Sequence, residues 1–156
     1  MASTPLLRFQ LDERVLAGGE LSRRDLDALA RQGVRSIVDL REEGEPGQQL
    51  SPNVAAAWAH ACDLEYRRVS VSEAHLQAKH VKLFVQALEA SPRPVYVQSA
   101  NGLRAAAFLI LRLALEQGLD AAGALARARS LNLPALSPAL ERFVREELRR
   151  RVAPTA

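Results

Sequence analysis

The segment from Val95 to Ala107 constrains this chain more than any other. Val95-Tyr96-Val97 is a short β-favouring run, and Gln98-Ser99-Ala100-Asn101-Gly102 is a polar turn. The apolar stretch from Gly102 to Glu116, stopped by Gly118, reads as a helix. A buried strand that turns directly into a helix N-terminus aims several backbone N–H groups at one point. The helix dipole adds positive potential there. Gly102 supplies the backbone freedom such a nest requires. Arg104, in the first helical turn, can return over the loop and grip two phosphate oxygens with its planar fork. Ala105, Ala106 and Ala107 let the helix pack closely on a sheet. Residues 98–104 therefore carry the parts of an oxyanion cradle, with Ser99, Ala100, Asn101, Gly102, Leu103 and Arg104 as the phosphate-binding candidates.

The rest of the chain supplies the scaffold such a loop needs. Residues 6–10 and 13–17 read as short edge strands or an extended entry, separated from the first helix by a turn at Gly18-Gly19. Ser22, with Asp25 three positions on, predicts a helix N-terminus with a variant capping box, and Gly33 predicts its end. The run 34–40 is β-branched and short, as in a buried strand of an α/β sheet. A polar loop (42–52) and an Ala-rich helix (53–62) come after it. An alternating strand (66–71) and a helix (75–88) are next, the helix turning Val81, Phe84, Val85 and Leu88 inward. Two further helices, 121–130 and 138–150, complete the chain. Strands alternating with helices predict an α/β fold, a mostly parallel central sheet flanked by helices. With 156 residues, no internal repeat and no linker, the expectation is one domain over 1–156.

Composition excludes little. The formal charge is only +3, and much of the basic excess lies between Arg145 and Arg151, as suits a solvated helix end. No interleaved aromatics or second basic cluster suggest nucleic acid. The longest apolar stretch, Ala105 to Leu111, is too short to span a bilayer. With no leader-like N-terminus and a single cysteine, the expected location is cytoplasmic. Cys62, at the end of an Ala-rich helix without a neighbouring glycine or arginine, reads as a structural thiol. Trp58, His60 and His80 read as packing or surface residues. No His/Cys/Asp cluster has metal-ligand spacing, so neither metal nor cofactor is expected.

The loop resembles the His-Cys-x-x-Gly-x-Arg signature of cysteine-dependent protein phosphatases. Gly102 and Arg104 match, Gln98 stands at the histidine and Ser99 at the cysteine. The blocks Ala17 to Ser22, Gly33 to Arg41, Glu116 to Asp120 and Ala124 to Arg129 are similar to a bacterial subfamily of dual-specificity-phosphatase-like proteins. That domain is also found fused to β-lactamase-like hydrolases. The likeness runs over about residues 13–145. It implies a three-layer phosphatase-like fold and a phosphorylated small molecule or phosphoprotein as ligand. In such enzymes a loop-activated thiolate attacks phosphorus, the arginine and loop amides stabilise the transition state, and an aspartate protonates the leaving group.

Carried to this chain, the resemblance leaves Arg104 and the loop amides in their roles and puts Ser99 at the nucleophile position. A serine hydroxyl stays protonated near neutral pH unless its pKa is lowered by many units, and Gln98 is no base. Activity of the chain as written is therefore expected to be very low or absent. Ser99 is either a substrate-trapping replacement or the mark of a natural pseudophosphatase. Where the general acid belongs, just after the strand ending at Val71, the chain offers only Glu73 and His75, which also fit a solvated loop. Arg41 lies near the same crevice and either adds charge to the pocket or forms a structural salt bridge. Two other readings compete. One is a non-catalytic phospho-ligand or oxyanion-binding module. The other is a rhodanese-like sulfurtransferase, whose first strand Ile37 to Glu42 resembles but whose loop would need a cysteine.

Overall fold

A computed structural model describes residues 8–152. β1 (Arg8–Asp12) and β2 (Val15–Gly18) form a hairpin, and α1 (Arg23–Arg31) follows. β3 (Ser36–Asp39), α2 (Pro52–Ala61) and β4 (Glu65–Arg68) come next. A single 3-10 turn (Glu73–His75) then leads into α3 (Ala78–Ala90), β5 (Val95–Gln98) and α4 (Leu103–Gln117). α5 (Ala121–Ser130) and α6 (Pro138–Val152) close the fold.

The five strands lie in the order β1-β2-β5-β3-β4, antiparallel at β1 and parallel elsewhere. Side chains alternate across the sheet as the period-2 pattern requires. Val38, Leu40, Val95 and Val97 enter the core made with α3, α4, α5 and α6. Ile37 and Tyr96 enter a smaller core with Leu26 and Leu29 of α1 and Ala59 of α2. The result is three layers with the mostly parallel sheet in the middle, as expected. α4 is buried continuously from Arg104 to Leu111, because helices pack around it on the side away from the sheet. Its Phe108 packs edge-on against Phe84 and at a tilt against Phe143, with ring centroids 5.5 and 5.8 Å away.

Some boundaries differ from the sequence reading. Residues 6 and 7 lie outside the described residues. β2 is not an edge strand: it sits between β1 and β5, a placement set by pairing with residues some 80 positions away. The ladder of β4 stops at Arg68, although Val69 and Val71 still donate to the carbonyls of Asp39 and Leu40, at 2.9 and 3.0 Å. Helix α3 begins at Ala78, so His75 belongs to the preceding 3-10 turn. The Ser22–Asp25 capping box forms as expected, and Gly33 follows the C-cap with φ +97°. No helix among the described residues is long and apolar enough to cross a membrane.

Candidate functional site

The parallel strands bring four residues into one row at their C-terminal ends: Gly18, Gln98, Asp39 and Arg68. The loops that leave this row converge where open α/β sheets bind ligands. The loop after β5 is held from beneath by the loop after β2. Ser99 N–H donates to Gly18 C=O (3.2 Å), and Glu20 N–H donates to Ala100 C=O (3.3 Å). Gly102 passes so close to Gly18-Gly19 that an added Cβ would lie 3.1 Å from the Gly18 carbonyl carbon, and its φ is +89°. Both facts require glycine. Inside the loop, Asn101 Oδ1 accepts from Leu103 N–H (3.0 Å) and Ser99 Oγ accepts from Ala105 N–H (3.2 Å). Among the described residues the amides of Ala100, Asn101 and Arg104 have no protein acceptor. They are the donors available to an anion at the start of α4.

Arg104 is buried, with 6% of its surface exposed. Its Nη1 donates to Glu45 Oε2 (2.7 Å) and to the Val71 carbonyl (2.6 Å), and its Nη2 donates to Glu45 Oε1 (2.5 Å). A guanidinium has five N–H donors. These three bonds use the far end of the fork and leave Nε–H and the second Nη2–H without a protein acceptor among the described residues. Those two donors share one edge of the guanidinium, which is the geometry that takes two oxygens of a phosphate. Glu45 thus fixes the plane of Arg104 while leaving its other edge open. Burial alone would raise the Glu45 pKa. The hydrogen bonds from Arg104 and from the Glu42 amide, with the charges of Arg104 and Arg41, outweigh it and hold the carboxyl below its usual range.

An open crevice of about 450 Å³ lies over the loop. Glu42, Glu43, Glu45, Ser72 and Glu73 line it, together with Ala100, Asn101 and Arg104. Glu73 therefore reaches the crevice, where its Oε1 accepts from Ser137 Oγ (2.6 Å). His75 is exposed but does not line it, because the 3-10 turn carries it past the opening. Arg41 does not line it either. Its side chain is wholly buried: Asp39 takes Nε and Nη2, while Glu20 and the Leu50 carbonyl take Nη1. Tyr66 donates to the same Asp39 carboxylate. This network ties the loops after β2 and β3 beneath the site and makes Arg41 a structural residue. Glu20 extends the tie by accepting from the amides of Gln49 and Leu50, at 2.7 and 2.9 Å.

Ser99 and Gln98 are both fully buried. Gln98 Oε1 accepts from Leu21 N–H (2.7 Å), while its Nε2 is buried without a partner among the described residues. Gln98 thus braces the loop from behind. Cys62 caps α2 at its C-terminus and lies on the edge of the smaller core, remote from the loop. Sequence reasoning missed Glu45. The signal for it was the acidic run Glu42, Glu43 and Glu45 placed just past the end of a core strand.

Residues 3–146 match the family described as a DSP-PTPase phosphatase fused to NAD+ kinase. The chain belongs to that family. Among curated relatives, a β-lactamase hydrolase-like protein of Agrobacterium fabrum is 29% identical over 108 residues, 69% of this chain and 25% of that protein. Its counterpart in Xylella fastidiosa is 27% identical over 110 residues, 70% of this chain and 25% of that protein. The chain thus spans about a quarter of the length of these relatives. Solved structures share the fold at low identity. A candidate phosphatase from Neisseria meningitidis superposes with a TM-score of 0.74 at 19% identity, covering 89% of this chain and 96% of that one. A cysteine-to-serine variant of P. aeruginosa TpbA, in complex with phosphotyrosine, gives 0.65 at 16%, covering 92% and 88%. The catalytic core of the PP-IP phosphatase SIW14 from S. cerevisiae, in complex with citrate, gives 0.64 at 13%, covering 89% and 86%.

Proposed function

We propose that this chain binds a phosphate monoester in the loop 98–104 and, as written, turns it over very slowly or not at all. The observation that carries the reading is Arg104: a buried guanidinium anchored at one end by Glu45 and Val71, its other edge open beside the free amides of Ala100, Asn101 and Arg104. Two donors from Arg104 and three from the backbone make an anion site of ordinary phosphatase-loop chemistry. The phosphotyrosine held by the TpbA variant supports a phosphorylated side chain or small molecule as the ligand class.

Ser99 stands where the family chemistry needs a thiolate. Its hydroxyl accepts a hydrogen bond from Ala105 N–H, which favours developing negative charge there. One bond and a helix dipole fall far short of ionising an alcohol near neutral pH. The residue beside it, Gln98, cannot act as a base. Glu73, at the place the family gives its general acid, lines the crevice with its carboxyl accepting from the Ser137 hydroxyl.

The test is Ser99→Cys assayed on an aryl phosphate, beside Ser99→Cys/Arg104→Lys. Turnover that appears with the single change and falls at least about 100-fold with the second, as expected for losing a bidentate transition-state donor, marks a phosphatase lacking only its nucleophile. An inert Ser99→Cys protein that phosphate still stabilises against heat marks a non-catalytic phosphate-binding module. No turnover and no stabilisation rejects the proposal.

A further inference from the structure

The crevice above the loop is acidic, which is unexpected for a site that takes an anion. Four glutamates line it against one cation, Arg104. Two of the four are engaged. Glu45 is committed to Arg104, and Glu43 faces Arg68 at 3.7 Å while also accepting from Asn53 N–H at 2.9 Å. The other two have no cationic partner among the described residues. Glu73 has only the Ser137 hydroxyl, and the Glu42 carboxylate has none. The nearby His80 is engaged elsewhere, its Nδ1 accepting from Gln77 N–H at 3.1 Å. No lysine and no second arginine line the crevice. Glu42 and Glu73 come from different loops, one after β3 and one after β4, and line the same crevice as Arg104.

Resting on the phosphate-binding reading above, we infer that the site selects a phosphate monoester carrying a positive charge close to its phosphoryl group, read by the carboxylates of Glu42 and Glu73. A phosphoryl dianion alone meets favourable donors only at the floor of the crevice and repulsion from its rim. A cation on the same ligand converts that repulsion into attraction. An anionic flank compounds it. Both carboxylates are exposed, so each charge contributes modestly, about three- to ten-fold in affinity at low salt, fading as the Debye length shortens. The shared chemistry has two sources: a phosphorylated side chain flanked by arginines, or a small zwitterionic phosphate ester.

The experiment is calorimetric titration of the native chain at low salt with two matched pairs. The first is a phosphotyrosine tripeptide flanked by arginine or by glutamate. The second is phosphocholine or glycerol phosphate. A preference of about ten-fold or more for the arginine-flanked peptide, shrinking at 0.5 M salt and reduced to within about two-fold by Glu42→Gln/Glu73→Gln, supports the inference and points to a protein ligand. The same pattern confined to phosphocholine supports it with a small-molecule ligand. Equal binding within each pair, or tighter binding of the glutamate peptide or glycerol phosphate, overturns it. So does a preference that survives the double substitution. If all four bind and Arg104→Lys weakens all four, the phosphate site stands even where the selectivity fails. If none binds, both readings fall.

Discussion

At the scale of single residues, Arg104 and Arg41 illustrate opposite fates for a guanidinium at the same end of a sheet. Arg41 has its bonds to Asp39, Glu20 and a carbonyl and is closed to solvent. Arg104 keeps two donors open because Glu45 grips only its far end. Removing one partner of a nearly buried pair leaves the other charge uncompensated. Glu45→Gln is therefore expected to destabilise the fold by about 1–3 kcal/mol at neutral pH, less than for a wholly buried pair because Glu45 is partly exposed. The sign of the pH dependence comes from the lowered Glu45 pKa. A depressed carboxylate contributes stability above its unfolded pKa and loses it as pH falls through the folded value. The gap between native protein and variant should accordingly narrow as pH drops from about 4.5. Urea midpoints measured at about pH 7 and about pH 3.5 check this. Asp25, whose pKa is also lowered, leaves the variant a residual acid limb.

At the scale of elements, what could be read from the sequence was local. The strand–loop–helix at 95–117 is legible because a β-favouring run, Gly102 and the apolar helix lie within one short stretch. The start of α1 is legible because Ser22 and Asp25 are three residues apart. Ser22 Oγ accepts from Asp25 N–H (3.1 Å), and Asp25 Oδ2 accepts from Ser22 N–H (2.8 Å). Ser22→Ala should cost about 1 kcal/mol in chemical denaturation and leave ligand affinity unchanged, since the cap lies outside the crevice. The central place of β2 was not legible. A strand's neighbours are set by long-range pairing, here with Val95 to Gln98, and its own residues read equally well as an edge.

At the scale of the whole molecule, the site is a meeting of loops from four strands at one end of the sheet. The floor of that site was legible, since Ser99 to Arg104 are contiguous. Its walls were not. Glu45 meets Arg104 across 59 positions, and the acidic run that marks the loop does not say which of its three glutamates turns inward. Arg41 left two readings open for the same reason, because its partner Glu20 comes from the loop after β2 and Leu50 lies nine residues on in its own loop. The functional reading stands or falls on residues 98–104 receiving a phosphate group. Amide resonances of the 15N-labelled native chain, followed during titration with phosphotyrosine, observe that event at the loop itself. The amides of Ala100, Asn101 and Arg104 should shift saturably and together, and Arg104→Lys should weaken that response about ten-fold or more. Loop resonances that stay fixed at millimolar ligand, or shifts confined to residues away from the loop, would refute it.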